Sequence, residues 1–147
     1  MIRRLAITCA NASLTPIDGM SRQSATLELQ DYLSSGRLAS AFLCQTSSSS
    51  DLLVAKIIDL GICPVQHQYP DEMDPSSLSY HEAILAARHE IEVYAHLVDL
   101  QGSVVPRFIG AYQGTRLSWG FTGEMIVLVM QYVGPPLQLS TLTDEGR

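Results

Sequence analysis

The run Asp51-Leu-Leu-Val-Ala-Lys56-Ile-Ile-Asp-Leu60 places the strongest constraint on how this chain can fold. Short, apolar and bounded by acids, it reads as a β-strand covered on both faces. A lysine inside such a strand is costly to bury unless its ammonium meets a carboxylate or a ligand phosphate. The alternative is an edge strand, from which the stem of Lys56 would carry its charge to water. The rest of the chain must therefore supply either a partner or an edge.

With 147 residues, 46% of them hydrophobic, the chain has the size and composition of one domain with a buried core. Nine basic residues stand against fifteen acidic ones, for a net charge of −6. No Lys or Arg block offsets that balance, which argues against a nucleic-acid partner held through its phosphates. Cys9, Cys44 and Cys63 are odd in number and lack CxxC spacing, as suits reduced thiols in an intracellular protein, cytoplasmic or nuclear. The basic start and small-residue end of the first twelve residues imitate a signal peptide. Their apolar centre, Leu5 to Ala10, falls short of the roughly 7 to 15 residues such a region needs, and a mitochondrial presequence is the lesser alternative. No stretch approaches the roughly 20 apolar residues of a membrane span.

Residues 1–24 show no sustained period and predict a loosely ordered arm. From Thr26 to Gln45, alternating apolar positions on either side of Ser34–Gly36 predict a β-hairpin, and the lysine strand follows a polar loop at Ser47–Ser50. Three such strands joined by short loops suggest an antiparallel meander. Residues 61–79, with three prolines and the acids Asp71, Glu72 and Asp74, predict an irregular insertion. Ser79 and Glu82 then have capping-box spacing, and Ile84, Ala87, Ile91, Tyr94 and Val98 recur as one helical stripe, with Gly102 as a stop. At about 100° per residue, Glu90 falls on the border of that stripe beside Ala83, Ala87, Tyr94 and Leu97, whereas Glu82 and Glu92 point to the solvated side. Glu90 is thus the acid placed to reach inward, unless it is a surface carboxylate with a partner on its own helix. Val104–Tyr112 and Glu124–Val133 read as two further strands, with Gln113–Gly123 as the loop between them. Residues 138–147 form a tail.

In this order of elements the chain resembles the N-terminal lobe of the protein-kinase fold. Leu33-Ser-Ser-Gly36-Arg-Leu-Ala39-Ser-Ala41 looks like its glycine-rich phosphate loop, with Gly36 at the middle glycine. Leu53-Val-Ala-Lys56 looks like the lysine motif of the third strand, and Glu90 stands where the family's helix carries the acid that pairs with it. Leu128-Val-Met130-Gln-Tyr-Val133 looks like the gatekeeper and hinge, and Leu100-Gln-Gly-Ser-Val-Val-Pro-Arg-Phe-Ile-Gly110 is similar to a segment of the kinase-like proteins of mushroom-forming fungi. The resemblance implies an α+β fold: a five-stranded antiparallel sheet with one principal helix over residues 25–137. It also implies an ATP site in which Gly36 approaches the phosphates, Lys56 bridges to them, Glu90 holds Lys56, and Met130 sets the pocket depth. The carbonyl of Gln131 and the N–H of Val133 would meet adenine, and Mg would come only with the nucleotide.

Departures from the family pattern bear on function. Ser34 and Ala39 replace the first and third glycines, which implies weak nucleotide binding, and Val54 adds bulk two residues before the lysine. No HRD- or DFG-type motif occurs, so the resemblance implies a partial, pseudokinase-like domain that is non-catalytic as it stands. An uncovered lower face would call for self-association or a second polypeptide. Two other readings stay open at this level: an interaction module on the same lobe that needs no nucleotide, and an unrelated small α+β domain. His81, His89 and His96 lack HExxH spacing and read as solvated side chains, and Cys44 and Cys63 read as buried thiols.

Overall fold

The computed structural model describes residues 15–16, 26–63, 78–118 and 121–135. Along them lie β1 (Thr15–Pro16), β2 (Leu27–Ser35), β3 (Ser40–Thr46), β4 (Ser49–Asp59), α1 (Tyr80–His96), β5 (Phe108–Ser118) and β6 (Phe121–Gln131). The protein is α+β. β2, β3 and β4 form the antiparallel meander. After α1 the chain returns as the β5–β6 hairpin, whose second strand pairs with β4, giving the order β5-β6-β4-β3-β2. The two-residue β1, within the segment expected to be a loose arm, pairs antiparallel with β5 on its outer side. Among the described residues no helix is long and apolar enough to cross a membrane.

β4 is an interior strand. Lys56 lies in register with Ala41 of β3 and Leu128 of β6, so the edge-strand alternative does not hold. Successive residues of β4 serve opposite faces of the sheet. Val54 and Ile58 pack with Ile126, Leu128, Met130 and Ala111 under α1. Leu53, Ala55 and Ile57 join Leu27, Cys44, Tyr112, Met125, Val127 and Val129 on the other face. Met125 to Met130 are buried without interruption, because β6 is covered on both faces. Ile58 and Leu128 expose nothing, and truncating either to alanine would cost about 2–5 kcal/mol.

α1 begins with the capping box. The Ser79 N–H donates to Glu82 Oε2 at 2.8 Å, and the Glu82 N–H donates to Ser79 Oγ at 3.3 Å, so two donors of the first turn are answered. Ala83, Ala87 and Ile91 form the buried stripe, with Ile84 and Tyr94 half-buried beside it. Val98 departs from the expected stripe and is 64% exposed. The helix has already ended at His96, and Val98–Leu100 is a 3-10 turn with a different side-chain period. Gly102, at φ 81°, ends that turn rather than the helix.

The remaining differences from expectation lie in the loops. The first hairpin turn starts two residues later than expected, after Ser35, and is closed by the Gly36 N–H donating to Ala39 O at 2.9 Å. The polar loop shrinks to Ser47 and Ser48, with β4 already begun at Ser49. Most of Gln113–Gly123 is strand, paired down to Ser118 and Phe121, whereas Val104 belongs to the turn before β5. Gly61 is required by contact: a Cβ there would come within 2.9 Å of Gly123 Cα, where the 3-10 turn Leu60–Ile62 crosses β6, and a Cβ on Gly123 would lie a tight 3.2 Å from Gly61 Cα. Of the expected insertion, residues 64–77 lie outside the described residues, as do Trp119 and the tail 138–147.

Two measurements follow from this packing. Gly61 has an ordinary φ, so alanine there would normally stabilise slightly by stiffening the unfolded chain. The backbone contact reverses that sign, and Gly61→Ala is expected to destabilise by about 1–3 kcal/mol in urea unfolding. Burial pushes the Cys44 thiol up from 9.0 to about 11, with a backbone hydrogen bond to Ala55 opposing the shift. The unfolded chain releases that proton near pH 9 and the folded one near pH 11, so stability is full below pH 9 and falls as pH rises between the two. The slope contributed is at most about 1.4 kcal/mol per pH unit, and Cys44→Ala should flatten it in unfolding curves recorded from pH 8 to 11.

Candidate functional site

Strand alternation turns the Lys56 side chain toward α1, together with Val54 and Ile58. On α1, Glu90 occupies the border between the buried stripe of Ala83, Ala87 and Ile91 and the exposed side that carries Glu92 and His89. The two side chains meet across 34 residues of sequence. Lys56 Nζ donates to Glu90 Oε1 at 2.8 Å and to Oε2 at 2.6 Å, a forked contact with both carboxylate oxygens engaged. The expectation that this acid and this lysine approach each other is met.

The pair is neither sealed nor free. Lys56 and Glu90 keep 33% and 24% of their side-chain surface exposed. Desolvation is therefore partial, and water still weakens the attraction. Such a pair contributes about 1 kcal/mol, at the upper end of surface salt bridges and well below a buried one. An ammonium has three donors and Glu90 engages two acceptors, which leaves Lys56 able to bond an anion arriving from solvent.

Met130 belongs to the same face. It is 9% exposed, in register with Val54 on β4 and Phe108 on β5, and its Sδ accepts from Tyr94 Oη at 3.6 Å. Tyr94, one turn after Glu90, stacks on Phe108 with ring centroids 5.0 Å apart and planes at 11°. Burial, and then the Glu90 carboxylate, push the Tyr94 hydroxyl above its ordinary range. The inner wall beside the ion pair is thus aromatic and thioether, ordered by contacts from both the helix and the sheet.

Other expected site residues lie around this centre without bonding to it. Gly36 is exposed in the β2–β3 turn, whose Leu38 and Ala39 pack against the helix-side core. A Cβ at Gly36 would meet only Ala39 O, at 4.0 Å, so nothing in this conformation demands glycine there. Gln131 and Val133 are exposed at the end of β6. Backbone bonds from Gln131 N–H to Arg107 O at 2.8 Å and from Tyr132 N–H to Leu52 O at 3.3 Å fix this segment, and neither uses the Gln131 carbonyl or the Val133 N–H. His81, His89 and His96 are exposed, and among the described residues no group of three or more His, Cys, Asp and Glu could hold a metal ion.

Sequence reasoning missed Gln101 and the Tyr80–Glu124 pair. Gln101 Nε2 donates to Tyr94 O at 2.9 Å, while its Oε1 accepts from Phe108 N–H at 2.8 Å. The Tyr80 hydroxyl donates to the Glu124 carboxylate, which raises the Tyr80 pKa. Both links join α1 to the β5–β6 hairpin, the first through two bonds that each span seven residues and the second across 44, and neither has a periodic signature. Compared with models of protein families, with curated proteins and with solved structures, the chain matches none.

The strength of the ion pair can be read by a double-mutant cycle of Lys56→Met and Glu90→Gln in chemical denaturation. A coupling of about 1 kcal/mol is expected, shrinking between low and high salt because the pair is solvent-accessible.

Proposed function

We propose that this chain is a nucleotide-binding lobe of the protein-kinase-like type, in which the Lys56 ammonium takes phosphate oxygens of ATP while Glu90 holds it in place. The observation that carries this reading is the forked Lys56–Glu90 contact at 2.6 and 2.8 Å, made by a lysine that remains 33% exposed. A lysine pinned at both carboxylate oxygens has lost most of its conformational freedom before a ligand arrives, so the ordering cost of binding falls. The donor set suits a polyphosphate: a fixed cation, a small-residue turn with exposed Gly36, and backbone groups of Gln131 and Val133 at the far end of β6 for the base. ATP would bring Mg with it, bound mainly to the phosphates.

Two features favour weak binding. The Gly36 N–H is committed to Ala39 O, so the turn must open before that donor reaches a phosphate. Ser34 and Ala39 also place side chains where glycines would allow closer backbone approach. A second reading, an interaction module independent of nucleotide, is favoured by a different observation: Val98, Val104 and Val133 expose 64%, 74% and 70% of their surface. Apolar groups of that kind suit a second polypeptide or another copy of the chain.

Titration with Mg-ATP, read by thermal shift and calorimetry, separates the two. Saturable stabilisation is expected for the wild type, with affinity weakened by about 10- to 100-fold in Lys56→Met through loss of a charge-assisted bond. Absence of any response in the wild type would remove the nucleotide reading. Self-association in size-exclusion chromatography would then support the second.

A further inference from the structure

The buried stripe of α1 is built largely from small residues. Ala83 and Ala87 expose nothing, and Ile91 is the one large side chain that is buried with them. Alanines let a helix sit close to a sheet, but they offer no knobs that resist rotation about the helix axis. At about 100° per residue, a modest turn of the helix would carry Glu90 away from Lys56. Ile91 and the half-buried Tyr80, Ile84 and Tyr94 pack against the core and oppose part of that rotation, which leaves a share of the alignment to contacts beyond the stripe.

Gln101 is placed to fix it. Its backbone is held in the turn after the helix, with its own N–H donating to Val98 O at 3.3 Å and Gly102 N–H donating to Val105 O at 2.8 Å. From that anchored position its amide spans the gap between helix and sheet, to Tyr94 O at 2.9 Å on one side and from Phe108 N–H at 2.8 Å on the other. Tyr94 O, one of the last carbonyls of the helix, accepts from the Leu97 N–H at 3.2 Å and takes the Gln101 amide as a second donor, and Phe108 opens β5. The two residues joined by the amide are also the two that stack their rings at 5.0 Å. Glu90 precedes Tyr94 by one turn. The Tyr80–Glu124 bond at the other end of α1 is exposed, so water competes with it more than with the half-buried amide of Gln101.

We propose that Gln101 is a positioning residue: its amide sets the rotation of α1 on the sheet and thereby brings Glu90 onto Lys56. The claim about geometry stands on the ion pair alone, and its consequence for nucleotide affinity rests on the reading given under Proposed function.

The test measures the Lys56–Glu90 coupling by the Lys56→Met, Glu90→Gln cycle in two backgrounds of the full chain, Gln101 and Gln101→Met. Methionine keeps the length and volume of the side chain and removes both amide bonds. Loss of the coupling in the Gln101→Met background is the expected result. An unchanged coupling, with only a uniform loss of stability, would make Gln101 a simple structural link and overturn the proposal. Should Gln101→Met fail to fold, Gln101→Glu carries the same test, because it keeps the acceptor for Phe108 N–H and gives up the donor to Tyr94 O. In parallel, Mg-ATP affinity should fall by about tenfold in the folded Gln101 variant and show no further fall when Gln101→Met is added to Glu90→Gln. If the wild type binds no Mg-ATP, the nucleotide reading fails while the unfolding cycles still decide the role of Gln101.

Discussion

A charged group on an interior strand has to be answered from outside the sheet. β4 is flanked on both sides, by β3 and β6, so Lys56 cannot escape along an edge, and strand alternation aims it at the face that α1 covers. Among the described residues it is the helix that brings a carboxylate to it. That requirement governs several things at once: which side of the sheet the helix takes, how close it packs, and which of its acids lies at the border of the buried stripe. Ala83 and Ala87 permit the close approach, and Glu90 makes the forked contact. The other face of β4 bears no such demand. It holds Leu53, Ala55 and Ile57 among Cys44, Val127 and Val129, where cohesion is apolar and no ionic partner is needed.

The ends of the helix are held by polar links as well as by the packing of Tyr80 and Tyr94. Near the start, Tyr80 bonds Glu124 of β6, and near the end the Gln101 amide bonds both Tyr94 O and Phe108 N–H. All of these links run to the β5–β6 hairpin, so the helix takes its orientation from that hairpin while its ion pair is made with β4. The hairpin in turn is held close to the end of β4, where Gly61 and Gly123 pass backbone against backbone.

The parts of the structure that were legible in the sequence are those governed by period and local chemistry. The apolar run of β4 around its one lysine, the Ser79–Glu82 box and the border position of Glu90 each follow from spacing alone, and the meander follows from short polar connections between alternating strands. The parts that were not legible depend on contacts or changes of hydrogen bonding that leave no period in the sequence. Gly114 and Gly123 looked like loop residues, yet both lie in strands, and Gly123 passes so close to Gly61 that a Cβ on Gly123 would lie 3.2 Å from Gly61 Cα. Val98 continued the helical period on paper, but the chain had already changed to a tighter turn at that point, and periodicity does not report where hydrogen bonding changes from one helix type to another. Gln101 gave no signal, since one amide between a leucine and a glycine has no pattern until the strand it bonds is placed beside it.

The exposure of the ion pair bears directly on what it is for. A fully buried pair would gain from attraction and lose comparably from desolvation, and apolar residues of the same size would hold the fold as well. A fully exposed pair would leave the lysine mobile and contribute almost nothing. At 33% and 24% exposure, Lys56 is fixed in direction by both oxygens of Glu90 and still open to solvent. That combination adds little to stability, but it suits the capture of an anion: the cation is oriented in advance, partly stripped of water, and has a donor to spare. The Gly36 turn works in the opposite sense, because its N–H is already satisfied by Ala39 O and opening it costs a hydrogen bond. On the proposed nucleotide-binding reading, a prepared lysine set against a closed turn would give weak phosphate binding, with the Lys56–Glu90 geometry favouring a charged ligand.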